Sequence, residues 1–251
     1  MSQTIDRFSN RVANYVRYRP DYPSEIVEHL ALNFGLTRKS VIADVGCGPG
    51  QSSKPFLKNG NIVFGVEPNV AMRAASTDHL SSYDTFTAVN GTSIDTTLPD
   101  ASIDFIVAAQ AFHWFEPEPT RAEFRRILKS DGTVVLIWNE RQLDTTPFLR
   151  DYEAFLVRFG TDYSEVRHEN IDNLRLANFF QAPYTTATFE NLQVFDIDGL
   201  RGRMLSSSYM PDETDPAFPE VDKELRRLFA KHQRNGKIEV FYDTNVYCSR
   251  I

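Results

Sequence analysis

The chain has 251 residues, of which 41% are hydrophobic and 24% charged, and its net charge is −7. That length suits one large domain or a core with a small cap, and burying roughly 75% of the unfolded surface makes a disulfide or metal staple unnecessary. The composition excludes collagen-like, disordered and coiled-coil chains, and the acidic balance argues against a nucleic-acid partner.

Ser24 is placed to cap a helix carrying Ile26, Val27, Leu30 and Ala31, with Gly35 at its end. Val41 to Val45 is a short β-branched run and reads as a buried strand. Gln51 to Asn59 reads as a helix closed by Gly60, and Ile62 to Val66 as a second buried strand. Asn69 can cap a helix through Val70, Met72 and Ala75. Phe86 to Val89 and Ile103 to Ala109 are the third and fourth strands. Pro117 and Pro119 open a helix with Phe124, Ile127 and Leu128 on one face; Asp131-Gly132 is a turn, and Thr133 to Trp138 the fifth strand. Strands apolar on both faces, alternating with helices, imply a parallel sheet covered on both sides. Right-handed crossovers make it a doubly wound, Rossmann-like α/β domain.

Beyond residue 140 the alternation loosens. Pro147 to Phe159 and Glu220 to Gln233 read as helices, and Tyr184 to Ile197 and Lys237 to Ser249 as strands that add an antiparallel edge. The segments 160–183 and 198–219 are then insertions, candidates for a helical substrate cap. This divides the chain into an N-terminal lid and helix (1–38), a core (39–140) and a C-terminal part completing the sheet (141–251).

Chemistry concentrates at V41-I-A-D-V-G-C-G-P-G50, a buried strand running into three alternate glycines. Such glycines let the chain turn sharply and let backbone N–H groups approach a ligand. A dinucleotide fingerprint would place its third glycine at 51, where this chain has Gln51. Glu67 ends the second strand about 20 residues past the glycine loop, where an acid can accept from both ribose hydroxyls. Y15-V-R-Y-R-P-D-Y-P23 is dense in Tyr and Arg. Tyr15, Tyr18 or Arg19 could close over a cofactor, or the stretch could be an aromatic strap packed on the domain.

Cys47 and Cys248 read as free thiols in a reducing cytosol, and no Cys/His cluster has metal-ligand spacing. There is no apolar run of membrane-helix length and no apolar signal core in the N-terminal stretch, so a cytoplasmic chain with no membrane partner is expected. Arg125, Arg126 and Lys129 read as cations favoured at a helix C-terminus.

These motifs together resemble the class I S-adenosylmethionine-dependent methyltransferases. D44-V-G-C-G-P-G50 matches that family's glycine-rich first motif and V66-E-P-N-V-A-M72 its second. L98-P-D-A-S-I-D-F-I-V-A-A-Q-A-F-H-W-F115 is similar to its fourth strand, and R126-I-L-K-S-D-G-T-V-V-L-I137 to the helix and strand that follow. Within the family, A109-Q-A-F-H-W-F115 most resembles the trans-aconitate and "type 11" enzymes. The resemblance implies a mostly parallel seven-stranded sheet with an antiparallel C-terminal edge strand. It also implies S-adenosylmethionine as cofactor, S-adenosylhomocysteine as product, and a small-molecule acceptor met by a monomer or homodimer.

Carried over by residue, Gly46, Cys47, Gly48 and Gly50 would line the methionine part, with Asp44 orienting the loop and reaching the amino group through water. Glu67 would hold the ribose, and Pro68 and Met72 would flank the adenine. Gly91, Thr92 and Ser93 would sit at the adenine edge. Relatives often carry an acid just past that glycine, so its place here falls to the backbone or Thr92. Gln110 and Ala111 would lie near the sulfonium, and Arg19 would bind the methionine carboxylate.

Methyl transfer needs proximity and orientation above all, and a base only for a protonated nucleophile. His113 is the candidate base or acceptor ligand; the plainer reading is a histidine that fixes its own loop. Trp114 and Trp138 could wall the acceptor pocket or simply pack. If the acceptor is a carboxylate, Arg201 or Arg203 could bind it bidentately, with Tyr209 and Ser207 beside them. Two alternatives stay open: a catalytically silent S-adenosylmethionine-binding regulator and a nicotinamide-dependent oxidoreductase.

Overall fold

The computed structural model describes residues 12–161, 163 and 173–251. The first eleven residues of the expected lid, and residues 162 and 164–172 of the expected insertion 160–183, lie outside the described residues. In chain order the elements are α1 (Val12–Tyr18), α2 (Glu25–Phe34), β1 (Val41–Val45), α3 (Lys54–Asn59), β2 (Ile62–Val66), α4 (Val70–His79), β3 (Phe86–Val89) and β4 (Ile103–Ala109). A short 3-10 turn at Phe112–Trp114 leads to α5 (Pro117–Ile127) and β5 (Leu128–Arg141). Then come α6 (Pro147–Phe159), α7 (Asn173–Phe180), β6 (Thr185–Phe195), α8 (Ile197–Leu205), α9 (Phe218–His232) and β7 (Ile238–Ser249).

The seven strands form one sheet in the order β3-β2-β1-β4-β5-β7-β6. Strands β1 to β5 run parallel, with Val41 opposite Ile62 and Ile106 opposite Val134; β7 runs antiparallel to both β5 and β6. This is the expected doubly wound sheet with a late antiparallel pair. The later strand of that pair is the inner one, and β6 forms the edge. The sheet places β1 and β4 side by side with their neighbours diverging, which opens a crevice at their carboxyl ends.

The two faces of the sheet bury alternate residues. Ile42, Val63, Phe105 and Val135 pack with Ile26 and Leu30 of α2 and Phe56 of α3 on one side. Ala43, Val45, Ile106 and Val134 pack with Phe124 of α5 and Phe179 of α7 on the other. A further cluster joins Leu149, Tyr152 and Leu156 of α6, Leu200 and Met204 of α8, Val221 and Leu225 of α9, and Val240 and Tyr242 of β7.

Four local differences from expectation have physical causes. Ser24 does not cap α2, because its hydroxyl donates to the Glu25 carboxylate at 3.2 Å. Helix α3 begins at Lys54 rather than Gln51, because the intervening serine hydroxyls are committed elsewhere, as described below. The Asp131-Gly132 turn is absorbed into β5 as a bulge: Ile103 faces Leu128, whereas Phe105 faces Thr133. Ile197 starts α8 instead of ending β6, because the Asp196 side chain accepts from Gly199 N at 2.9 Å and caps a helix there.

Candidate functional site

At the end of β1 the chain enters the glycine loop, with φ of +72° at Gly46, +54° at Gly48 and +90° at Gly50. All three lie in the left-handed region that penalises a Cβ. At Gly46 a Cβ would also fall 2.7 Å from Ala111 Cβ, so the backbone there lies directly on the turn after β4. At Gly48 a Cβ would meet nothing within 4 Å, so the bare backbone borders open space.

The loop's N–H groups are used internally, against the expectation that they face a ligand. Gly46 N and Cys47 N donate to Val66 O, Gly50 N donates to Cys47 O, and Gly48 N donates to Glu67 Oε2 at 3.0 Å. The second carboxylate oxygen of Glu67 accepts from Asn69 N at 2.9 Å. Glu67 thus stitches the first loop to the start of α4, where Asn69 Oδ1 caps Met72 N at 3.0 Å. Burial holds Glu67 above the usual carboxylate range, opposed by the two backbone donors.

Asp44 lies fully buried beneath the loop. Its Oδ2 accepts from Ser52 Oγ at 2.6 Å and Ser53 Oγ at 2.7 Å, while Oδ1 has no hydrogen-bond partner among the described residues. Burial pushes its pKa up to about 6, with the two hydroxyls pulling the other way and the Glu67 charge adding to the rise. Burial likewise pushes the Cys47 thiol well above its ordinary range, so it stays protonated.

A cavity of about 600 Å³ opens over this loop. Gly46, Cys47, Gly48, Gln110, His113 and Trp114 line it together with Tyr15, Arg19, Arg203 and Tyr209, whereas Asp44 and Glu67 are not on its lining. Gln110 holds a left-handed φ of +52°, unusual for a side chain of its size. Its Nε2 donates to Asn139 O at 2.8 Å, and its Oε1 is buried without a partner. An observed backbone outlier facing a cavity is where functional strain is found. The His113 ring lies 4.7 Å from that of Trp114, which is 43% exposed, and Arg175 of α7 reaches the carbonyls of Phe112, His113 and Phe115.

The remaining expected residues divide. Pro68 and Met72 sit at the start of α4 beside Glu67, and Ala111 lies behind Gly46. Thr92 and Ser93 follow β3, outside the cavity wall; the Thr92 hydroxyl accepts from Asp95 N at 3.1 Å and that of Ser93 from Thr120 at 3.0 Å. Two expected acceptor contacts are corrected. Trp138 is 1% exposed and packs edge-on against Phe112 and Tyr247 in the core, so it walls no pocket. Arg201 points away from the cavity into ion pairs with Glu213 and Asp222, each at 2.7 Å. Arg203 and Tyr209 stay on the wall, with Ser207 Oγ accepting from Arg203 at 3.0 Å.

Sequence reasoning missed several wall residues. Gln51, noted only as an absent glycine, donates from its amide to the carbonyls of Tyr15 and Val16 at 3.2 and 3.3 Å and ties α1 onto the loop. Arg141 and Glu153 form a largely buried ion pair, and Tyr163 Oη donates to the same carboxylate at 2.7 Å. No local pattern marks that trio, since its members lie on β5, on α6 and beyond α6. No described helix is long and apolar enough to cross a membrane, and no described cluster of acids, histidines or cysteines could hold a metal ion.

The profile of a family described as "Methyltransferase domain" matches residues 43–136. Two proteins of Schizosaccharomyces pombe are similar over nearly their whole length. A methyltransferase-like protein is 26% identical, with 99% of this chain and 98% of the relative covered. A second, described as an uncharacterized methyltransferase, is 31% identical, with 96% of each covered. Among solved structures, a candidate type II methyltransferase of Anaeromyxobacter dehalogenans shares the fold with a TM-score of 0.64 at 20% identity, over 93% of this chain and 98% of that one.

Proposed function

The chain belongs to the class I S-adenosylmethionine-dependent methyltransferases, and on that premise we propose that the cavity over the glycine loop takes the cofactor and a small-molecule acceptor side by side. The observation that carries this is the internal use of the loop's N–H groups together with the buried Asp44 and Glu67 carboxylates. A pyrophosphate needs free N–H donors, whereas a sulfonium beside an amino group needs carbonyls and carboxylates. The residues therefore fit S-adenosylmethionine and do not fit a nicotinamide dinucleotide. Family membership favours an enzyme over a silent binding protein.

In this reading Gly46, Cys47, Gly48 and Gly50 border the methionine part and Asp44 fixes the loop through Ser52 and Ser53. Glu67 keeps lone pairs for the ribose hydroxyls, Pro68 and Met72 flank the adenine, and Thr92 and Ser93 border its edge. Gln110 and Ala111 adjoin the sulfonium, and Tyr15 and Arg19 cover the methionine carboxylate. Bound cofactor supplies a methyl on a good leaving group, so the chain's own work is orientation and exclusion of water. His113 faces the acceptor space and takes its proton or orients it, Trp114 flanks it, and Arg203 with Tyr209 receives an acceptor carboxylate.

Calorimetric titration with S-adenosylhomocysteine, paired with turnover on a panel of small acids, phenols and amines, tests this. Glu67→Ala is expected to weaken binding by about two orders of magnitude, as loss of charge-assisted bonds does. His113→Ala is expected to keep binding and lose turnover. Unchanged affinity in Glu67→Ala would remove its ribose role, and unchanged turnover in His113→Ala its proton role.

A further inference from the structure

Arg19 and Arg203, proposed to meet separate carboxylates, bring their two guanidinium groups to one residue, Ser206. Arg19, just past α1, donates from Nη2 to Ser206 O at 3.0 Å. Arg203, on α8, donates from Nη1 to the hydroxyls of Ser206 and Ser207 at 3.4 and 3.0 Å, and from Nε to Tyr242 Oη at 3.3 Å. Both line the cavity, and Arg203 is 8% exposed. Arg19 Nε is buried without a hydrogen-bond partner.

Among the described residues no carboxylate pairs with either group. The cavity's acids are engaged elsewhere or lie further out. Glu153 is held by Arg141, and Asp243 accepts from Gln142 at 2.9 Å. Glu140 is half-buried and Asp144 exposed. Burial, and next the Arg203 charge, hold Arg19 below the ordinary guanidinium range. Two like charges in a shared low-dielectric wall are unfavourable unless an anion lies between them. A planar fork on each side is the geometry that grips a carboxylate.

We infer that Arg19 and Arg203 form a single clamp for one carboxylate, drawn together from the N-terminal strap and from α8. The inference rests on the methyl-transfer reading. The carboxylate is that of the cofactor's amino-acid part or that of the acceptor, and the experiment separates the two.

Wild type, Arg19→Gln, Arg203→Gln and the double variant, each shown folded by thermal melting, are titrated with S-adenosylhomocysteine and with 5′-methylthioadenosine, which lacks the amino-acid carboxylate. Succinate is then titrated into the S-adenosylhomocysteine complex. A clamp predicts that the double variant is no weaker than the weaker single one, because either loss opens the grip. If the carboxylate is the cofactor's, each single variant weakens S-adenosylhomocysteine by about tenfold or more and leaves 5′-methylthioadenosine unchanged. If it is the acceptor's, both nucleosides bind unchanged and succinate binding is lost. Additive losses, a silent Arg203→Gln, or equal losses for both nucleosides would overturn the clamp alone. Wild-type protein that binds neither nucleoside would overturn the clamp and the methyl-transfer reading together.

Discussion

Two walls of opposite charge bound the glycine loop, one beneath it and one on the cavity lining. At the carboxyl ends of β1 and β2 the buried groups are carboxylates, Asp44 and Glu67, held by hydroxyls and backbone N–H groups. The cavity lining carries guanidinium groups, among them Arg19, Arg141 and Arg203. The carboxylate wall is local, since Ser52 and Ser53 stand eight and nine positions from Asp44. The guanidinium wall is assembled at long range, with Arg19 reaching Ser206 across 187 positions. The first wall forms with one strand-loop-strand unit, whereas the second exists only once the whole chain has packed.

The largest effect expected from breaking this contrast is at Glu153. Glu153→Ala would leave Arg141 largely buried and uncompensated, and is expected to destabilise the fold by roughly 3–5 kcal/mol in urea unfolding. Arg141→Met combined with Glu153→Leu should recover most of that loss, because neither charge then remains to desolvate. A loss below about 1 kcal/mol in the single variant would mean the pair is solvated.

On the other wall the effect runs in the opposite direction. The folded pKa of Asp44 stands at about 6, against 3.8 for the free group, so between those values the native state keeps a proton that the unfolded chain has released. Stability therefore falls as pH rises through that window, and at neutral pH the ionised carboxylate costs about 3 kcal/mol. Asp44→Asn is expected to be more stable than wild type at pH 7 by up to that amount, to match it near pH 3.5, and to bind S-adenosylhomocysteine less well. Equal stability across the range would mean that Asp44 is relaxed by solvent.

A smaller effect sharpens the comparison at the strap joining the walls. A Cβ at Gly202 would fall 2.0 Å from the Tyr18 ring, so α1 seats on α8 only because position 202 has no side chain. Gly202→Ala is expected to cost about 1–3 kcal/mol and to make α1 the first site of limited proteolysis, while Tyr18→Ala in the same chain relieves it. Unchanged cleavage would mean the strap is held by its hydrogen bonds instead: Gln51 to the Tyr15 and Val16 carbonyls, Gln193 Nε2 to Tyr18 O at 3.1 Å, and Arg19 to Ser206 O.

The same contrast explains what could be read from the amino-acid order. Strands β1, β2 and β4 and the cap at Asn69 were legible because their signals are contiguous: β-branched runs, alternate glycines, a polar residue before an apolar helix face. Glu67 followed from its distance to the loop. Arg203 and Arg201 are two residues apart with the same letter, and only packing decides that one faces the cavity and the other meets Glu213 and Asp222. Trp138 reads as wall or, more simply, as core, and its place on β5, 1% exposed, settles it as core. The trio of Arg141, Glu153 and Tyr163 has no spacing signature, because its partners come from three separate stretches of chain.

The order of strands across the sheet also bears on how the protein is made. Among the described residues β6 pairs only with β7, yet β6 leaves the ribosome first. Its row of unsatisfied amides and carbonyls, with Leu192 and Val194 exposed even in the finished fold, must wait for β7 to arrive between it and β5. During that interval the half-made chain presents an open, adhesive border on which a nascent neighbour could template. The polar threonines, Glu190 and Gln193 along β6 are the safeguard that keeps that waiting strand in solution.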